Sequence, residues 1–140
     1  MRLYLDTNIL VYLRLGNARD EININVQSEL FDYGNNLYTS SVCVHEMIHL
    51  FQIGKIETGK HKDGALSVLE WLQTHDIGIV PVNERHLSAY SNLPIHGDHR
   101  DPNDRLIIAQ AISDKAILVS SDHKFDKYER DGLQFMFNER

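Results

Sequence analysis

Four carboxylates lie at positions from which an α/β domain could bring them together: Asp6, Glu46, Asp104 and Asp122. Asp6 follows the apolar run Leu3-Tyr4-Leu5, and Asp122 follows a second one from Ala116 to Ser120. Ligands of parallel α/β sheets bind just beyond the carboxyl ends of the strands, which is where both acids stand. A helix from Asp104 to Asp114 carries the chain about 15 Å away. The strand after it returns about 20 Å, so Asp104 and Asp122 come back to the same end. Glu46 sits within the apolar stretch Val42 to Phe51, a poor setting for an unpaired charge. A metal at the sheet's end would satisfy it, and so would a buried Arg or Lys. Converging carboxylates suit hard divalent cations, and such cations allow an acidic protein to act on a phosphodiester.

Each acid also has a plain structural reading. Asp6 and Asp122 could cap a turn or helix, and a carboxylate at Asp104 is favoured by the dipole of the helix it begins. Asp101, before Pro102, is read as the N-cap of that helix, with no catalytic role. Arg105, beside the acids, is a possible phosphate contact or carboxylate partner.

A rival chemistry overlaps Glu46. His45-Glu46-Met47-Ile48-His49 matches H-E-x-x-H, in which two histidines one helical turn apart bind zinc and the glutamate activates water. The metzincin extension fails, because Gly54 falls too far beyond His49 and no histidine follows in place. Glu70 could complete a different zinc site, but Asp6, Asp104 and Asp122 would then be left without a purpose, and a simple structural pair is the preferred reading of His45 and His49. Gly54 to Lys60 resembles a phosphate-binding loop, yet His61 stands where a Ser or Thr would ligate magnesium, so nucleotide binding is rejected. His96, Asp98, His99 and Asp101 could bind a transition metal, but are read as a solvated loop or a rim contact to substrate. Lys55, Lys60, His61 and Lys62 are the best candidate backbone-contact patch outside the acids, with a plain solvated loop as the alternative reading.

The elements that must position these residues follow from hydrophobic spacing. Arg2 to Leu5 reads as a strand, followed by a helix carrying Ile9, Leu10, Tyr12 and Leu13. Asp20 to Tyr33 reads as one amphipathic helix, stopped by Gly34-Asn35-Asn36. Leu37 to Ser40 is a strand, and a helix capped by Ser40 or Ser41 runs to about Ile53, apolar enough to be largely buried. Ala65 to Thr74 and Asn83 to Asn92 are helical. Between them Ile77 to Val82 is a strand, whose Pro81 suggests an edge or strand end. Leu93 to Arg100 is a loop, Pro102 to Asp114 a strongly apolar helix, and Leu133 to Phe137 the last strand. Strands alternating with helices imply a mostly parallel sheet covered by helices.

The chain has 140 residues, enough for one domain, and no linker or repeat divides it. Its net charge of −6 argues against holding nucleic acid by a basic surface alone. A lone cysteine, Cys43, makes no internal disulfide and is read as a small core residue. No apolar run reaches the roughly 18 residues of a membrane span, and a cytoplasmic protein is expected.

Taken in order, Leu5-Asp6-Thr7-Asn8, Glu46, Asp101-Pro102-Asn103-Asp104-Arg105-Leu106-Ile107-Ile108-Ala109-Gln110-Ala111 and Ser120-Ser121-Asp122 resemble the signatures of PIN domains, and of VapC-type toxins in particular. Two positions depart from the family pattern: Asn103 stands where phenylalanine is usual, and Ser120 where threonine is usual. The resemblance implies a single three-layer α/β/α sandwich over residues 1–140 with a mostly parallel central sheet. It also implies hydrolysis of RNA (tRNA, rRNA or mRNA) with Mg2+ or Mn2+, Asp6, Glu46, Asp104 and Asp122 being both catalytic and metal-binding. Thr7, Asn8, Ser120 and Arg105 would support the site or touch substrate. A toxin of this kind forms a homodimer and is neutralised by a small antitoxin that presents Arg to the acids. The alternatives are the zinc protease above and a catalytically inactive PIN-like binding module.

Overall fold

Leu3, Tyr4 and Leu5 are all buried, as a strand covered on both faces requires, and they form the middle strand of the sheet. The computed structural model describes residues 1–16, 18–56 and 64–140. In chain order the elements are β1 (Arg2–Leu5), α1 (Thr7–Leu15), α2 (Ala18–Glu21), α3 (Ile24–Leu30), β2 (Asn36–Ser40), α4 (Ser41–Gln52), α5 (Gly64–Thr74), β3 (Ile77–Val80), α6 (Glu84–Asn92), α7 (Pro102–Asp114), β4 (Ile117–Ser120), a 3-10 helix (His123–Asp131) and β5 (Gln134–Phe137).

The five strands form one sheet in the order β3-β2-β1-β4-β5, and every neighbouring pair is parallel. The expectation of a mostly parallel sheet is met, and the parallel character is complete. Leu3 lies between Leu37 and Ile117, and Leu5 pairs with Val119. From β1 the chain first winds outward to β2 and β3, then returns across the sheet to β4 and β5. Right-handed crossovers then place the helices of the two halves on opposite faces. In keeping with this, α4 packs on α1 and α5, whereas α7 packs on α6 and the 3-10 helix. The result is a three-layer α/β/α sandwich whose order reverses between β1 and β4, the crevice in which such sheets bind ligands.

Some local expectations need correction. The helix expected over Asp20 to Tyr33 is two, α2 and α3. Asn23 interrupts it, its side chain accepting from Val26 N at 3.0 Å while its own N–H donates to Asn138. The strand expected to Val82 stops at Val80, just before Pro81, and β3 is an edge strand. Helix α4 buries Cys43, Val44, Met47 and Phe51 but exposes His45 and His49, so only one face is covered. The 3-10 helix was not anticipated. Its buried Phe125 and Tyr128 are three residues apart, the repeat of that helix.

Candidate active site

Asp6 directly follows β1 and is the N-cap of α1, one of its oxygens accepting from Thr7 N at 2.7 Å. The other accepts from the Ser120 hydroxyl at 2.7 Å and from the Asn8 amide at 3.4 Å. Ser120 can reach it because β4 lies beside β1 in register. The same hydroxyl accepts from Asp122 N at 3.0 Å, so one serine ties the acid after β1 to the acid after β4. The Asn8 side chain holds the turn between them, accepting from Ser121 N.

Glu46 comes from α4 and is drawn to the same place by Thr7, whose hydroxyl donates to Glu46 Oε2 at 2.6 Å. Among the described residues the partner of Glu46 is this threonine, not an Arg or Lys. Asp104 occupies the first turn of α7, and Asp101 caps that turn by accepting from Asp104 N at 2.9 Å. Asp122 caps the 3-10 helix through Lys124 N. Structural and chemical readings therefore coincide, since three of the acids sit at helix starts that aim them at one cleft.

That cleft, of about 570 Å3, is lined by Asp6, Glu46, Asp104 and Asp122 together with Thr7, Asn8, Val11, Tyr12, His49 and Leu50. No lysine or arginine is among its described lining residues. Burial raises the Asp6 carboxyl to about 7; its hydrogen bonds to Ser120 and Thr7 pull the other way, and the charges of Asp104 and Glu46 raise it further. Asp104 is also raised to about 7, first by burial and then by repulsion from Asp101, Asp122 and Glu46. Such crowding is unfavourable without a cation and becomes favourable with one. Among the described residues, His99, Asp104 and Asp122 are the group that offers three ligand atoms within 4.8 Å of one another. The donor set fits a divalent ion.

A larger cleft of about 970 Å3 is lined by residues such as Leu13, Phe31, Tyr33 and Trp71 and contains none of the four acids. The carboxylates gather in the smaller cleft, not in the larger one.

The other sequence candidates take different places, although His49 also lines the acidic cleft. His45 and His49 are exposed and belong to no three-ligand cluster among the described residues. Arg105 turns away from the acids: it is buried, donates to Leu93 O at 2.6 Å and lies over the Tyr90 ring. Buried Cys43 places its sulfur 4.0 Å from Asp6, and burial pushes its thiol pKa up. The His96 to Asp101 group does not gather, since His96 pairs with Asp131 and Asp98 is exposed. His99, read from sequence as solvated or as a rim contact, is instead buried beside Asp104. Lys55 is exposed; Lys60, His61 and Lys62, with most of the Gly54 to Lys60 run, lie outside the described residues.

A model of the PIN domain family matches residues 3–131. The fold is similar to that of a chain of VapBC2 from Rickettsia felis bound to a DNA fragment from its promoter, at a TM-score of 0.68 and 24% identity, covering 99% of this chain and 100% of that one. A chain of VapBC-1 from nontypeable Haemophilus influenzae gives 0.63 and 24%, covering 98% of each. VapBC-5 from Mycobacterium tuberculosis, described as a member of the VapBC family of toxin-antitoxin systems, gives 0.61 and 17%, covering 99% of this chain and 98% of that one. No curated protein matches.

Proposed function

The chain belongs to the PIN domain family, and from that membership together with the acidic cleft we propose that it is a metal-dependent endoribonuclease. The observation that carries this reading is the meeting of Asp6, Glu46, Asp104 and Asp122 in one cleft with no lysine or arginine among the described lining residues. A bound Mg2+ or Mn2+ would supply activation of water, positioning of the phosphate and neutralisation of the charge that develops on the leaving oxygen. The chain's own residues supply orientation. Thr7, Asn8 and Ser120 hold the Asp6 carboxylate, and Thr7 also holds Glu46. Ser120, through Asp122 N, keeps the turn after β4 beside the end of β1. Rigidly held acids of this kind pay little reorganisation when substrate arrives. In-line attack would leave 5′-phosphate and 3′-hydroxyl ends.

We further propose that this single PIN domain is the toxin of a toxin-antitoxin pair, acting in the cytoplasm as a homodimer. The VapBC likeness in fold supports that reading. The partner would be a small antitoxin that lays an Arg across the carboxylates, a charge complement for an acidic cleft. No helix among the described residues is long and apolar enough to cross a membrane.

The test is to incubate purified protein with a structured RNA, and with DNA of the same sequence, in Mg2+, in Mn2+ and in excess chelator. Internal cleavage of RNA in either metal, and none in chelator, is expected. Absence of cleavage in both metals, or cleavage unaffected by chelator, would overturn the proposal.

A further inference from the structure

His99 belongs to none of the four acids' motifs, yet the fold brings it to their side. It lies in the loop before α7 and is buried, its ring packed edge-on against Tyr128 and tilted against Phe125. Nδ1 is 2.8 Å from the Tyr128 hydroxyl, and Tyr128 is itself buried. The ring is therefore fixed from one side by groups that do not reach the acids. On the other side Nε2 has no hydrogen-bond partner and stands 3.4 Å from Asp104 Oδ2.

Buried polar atoms are almost always satisfied, and one left open asks for a reason. A structural ion pair with Asp104 would be the simplest, but the nitrogen makes no hydrogen bond to that carboxylate. A single nitrogen aimed at Asp104 and Asp122, with all three ligand atoms within 4.8 Å of one another, is the arrangement of a ligand set. The contact to Tyr128 is what a ligating imidazole needs: its second nitrogen is hydrogen-bonded, which sets ring orientation. A hydroxyl both donates and accepts, so this contact survives whichever nitrogen carries the proton.

We propose that His99 Nε2 is a protein ligand, together with Asp104 and Asp122, of a divalent ion held where these three side chains meet at the edge of the cleft, and that it biases the site toward Mn2+ over Mg2+. The bias follows from donor chemistry, since Mg2+ is bound through oxygen whereas imidazole nitrogen suits transition metals. The inference rests on the metal-nuclease reading and adds a ligand and a metal preference to it.

The test reads metal binding and not activity. Mn2+ is added to the purified protein, to His99→Ala, to His99→Gln and to His49→Ala, each checked for folding by circular dichroism. Affinity is followed by electron paramagnetic resonance, and imidazole coordination by pulsed detection of nitrogen coupling to the bound ion. Competition with Mg2+ gives the preference. The wild type and His49→Ala should show imidazole nitrogen on Mn2+. The His99 variants should lose it, with Mn2+ affinity falling about tenfold or more and Mg2+ affinity falling less. Should neither His99 variant fold, the wild-type spectrum beside that of His49→Ala still decides. Mn2+ bound by the wild type without imidazole coupling overturns the role of His99 and leaves the four-acid reading standing. Coupling that persists in a His99 variant, or disappears in His49→Ala, overturns it as well. A wild type that binds neither ion overturns both.

Discussion

Asp6 and Asp104 share an ionisation problem that can be measured without substrate. Both carboxyls are raised to about 7, each chiefly by burial, whereas an unfolded chain releases these protons near 3.9. Between those values the folded state holds protons that the unfolded state has lost, so stability falls as pH rises and levels off above about 7. Metal-free protein is therefore expected to melt at progressively lower temperature from pH 5 to pH 8. Mn2+ or Mg2+ should restore most at the alkaline end, where both acids are charged. A melting temperature that is flat with pH and indifferent to both ions, measured by calorimetry, would contradict a cluster of this kind. The acids were legible because their types and order carry the chemistry. His99 was not, because its burial depends on Tyr128, which arrives 29 residues later from another element. Arg105 was misplaced for a similar reason, as its partners Leu93 O and Tyr90 are set by the packing of α6 on α7.

Helix α7 carries Asp104 at one end and Asp114 at the other, and the two ends make different demands. At its start, Asp101 caps the turn that holds Asp104. Asp101→Ala should cost about 1 kcal/mol of stability in denaturant melts while reducing RNA cleavage by less than roughly tenfold, as expected of a residue that positions its neighbour. A loss as large as that of a cleft acid would make Asp101 part of the machinery. At the far end, Asp114 accepts from Tyr4, Arg85 and His86, joining α7 to β1 and α6. Burial there opposes its charge, but these hydrogen bonds outweigh that and hold its carboxyl below the usual range. The stabilisation is thus complete above the unfolded value near 3.9 and is lost as pH falls through the lower folded value. Asp114→Ala should destabilise by about 3 kcal/mol at pH 7, with a smaller difference from wild type at pH 3. Equal differences at the two pH values would sink this account. The helix itself was readable from Pro102 and its apolar run; the Tyr4 contact, spanning 110 residues, was not. Likewise Asn23 broke an expected helix because Asn138 takes its N–H, a partner that hydrophobic spacing does not reveal.

On the scale of the whole chain, alternating strands and helices announced a parallel sheet but left the strand order open. The order β3-β2-β1-β4-β5 sets Asp6 and Asp122 on neighbouring strand ends, and the β1–β4 register lets Ser120 reach Asp6. The crossover faces then bring Glu46 in from one layer and Asp104 from the other. A net charge of −6 looks unsuited to RNA until a cation is placed between the acids and the phosphate. That cation-dependent role of the four acids is the central claim, and it parts from zinc proteolysis over which side chains matter. The most direct measurement is RNA cleavage in Mn2+ by Asp104→Asn and by a His45→Ala, His49→Ala double variant, each confirmed folded and assayed for bound zinc. Asp104→Asn should lose roughly a hundredfold or more of the rate, while the double variant keeps its activity within a few fold. Wild-type rates in Asp104→Asn, with activity and stoichiometric zinc lost from the double variant, would contradict the account.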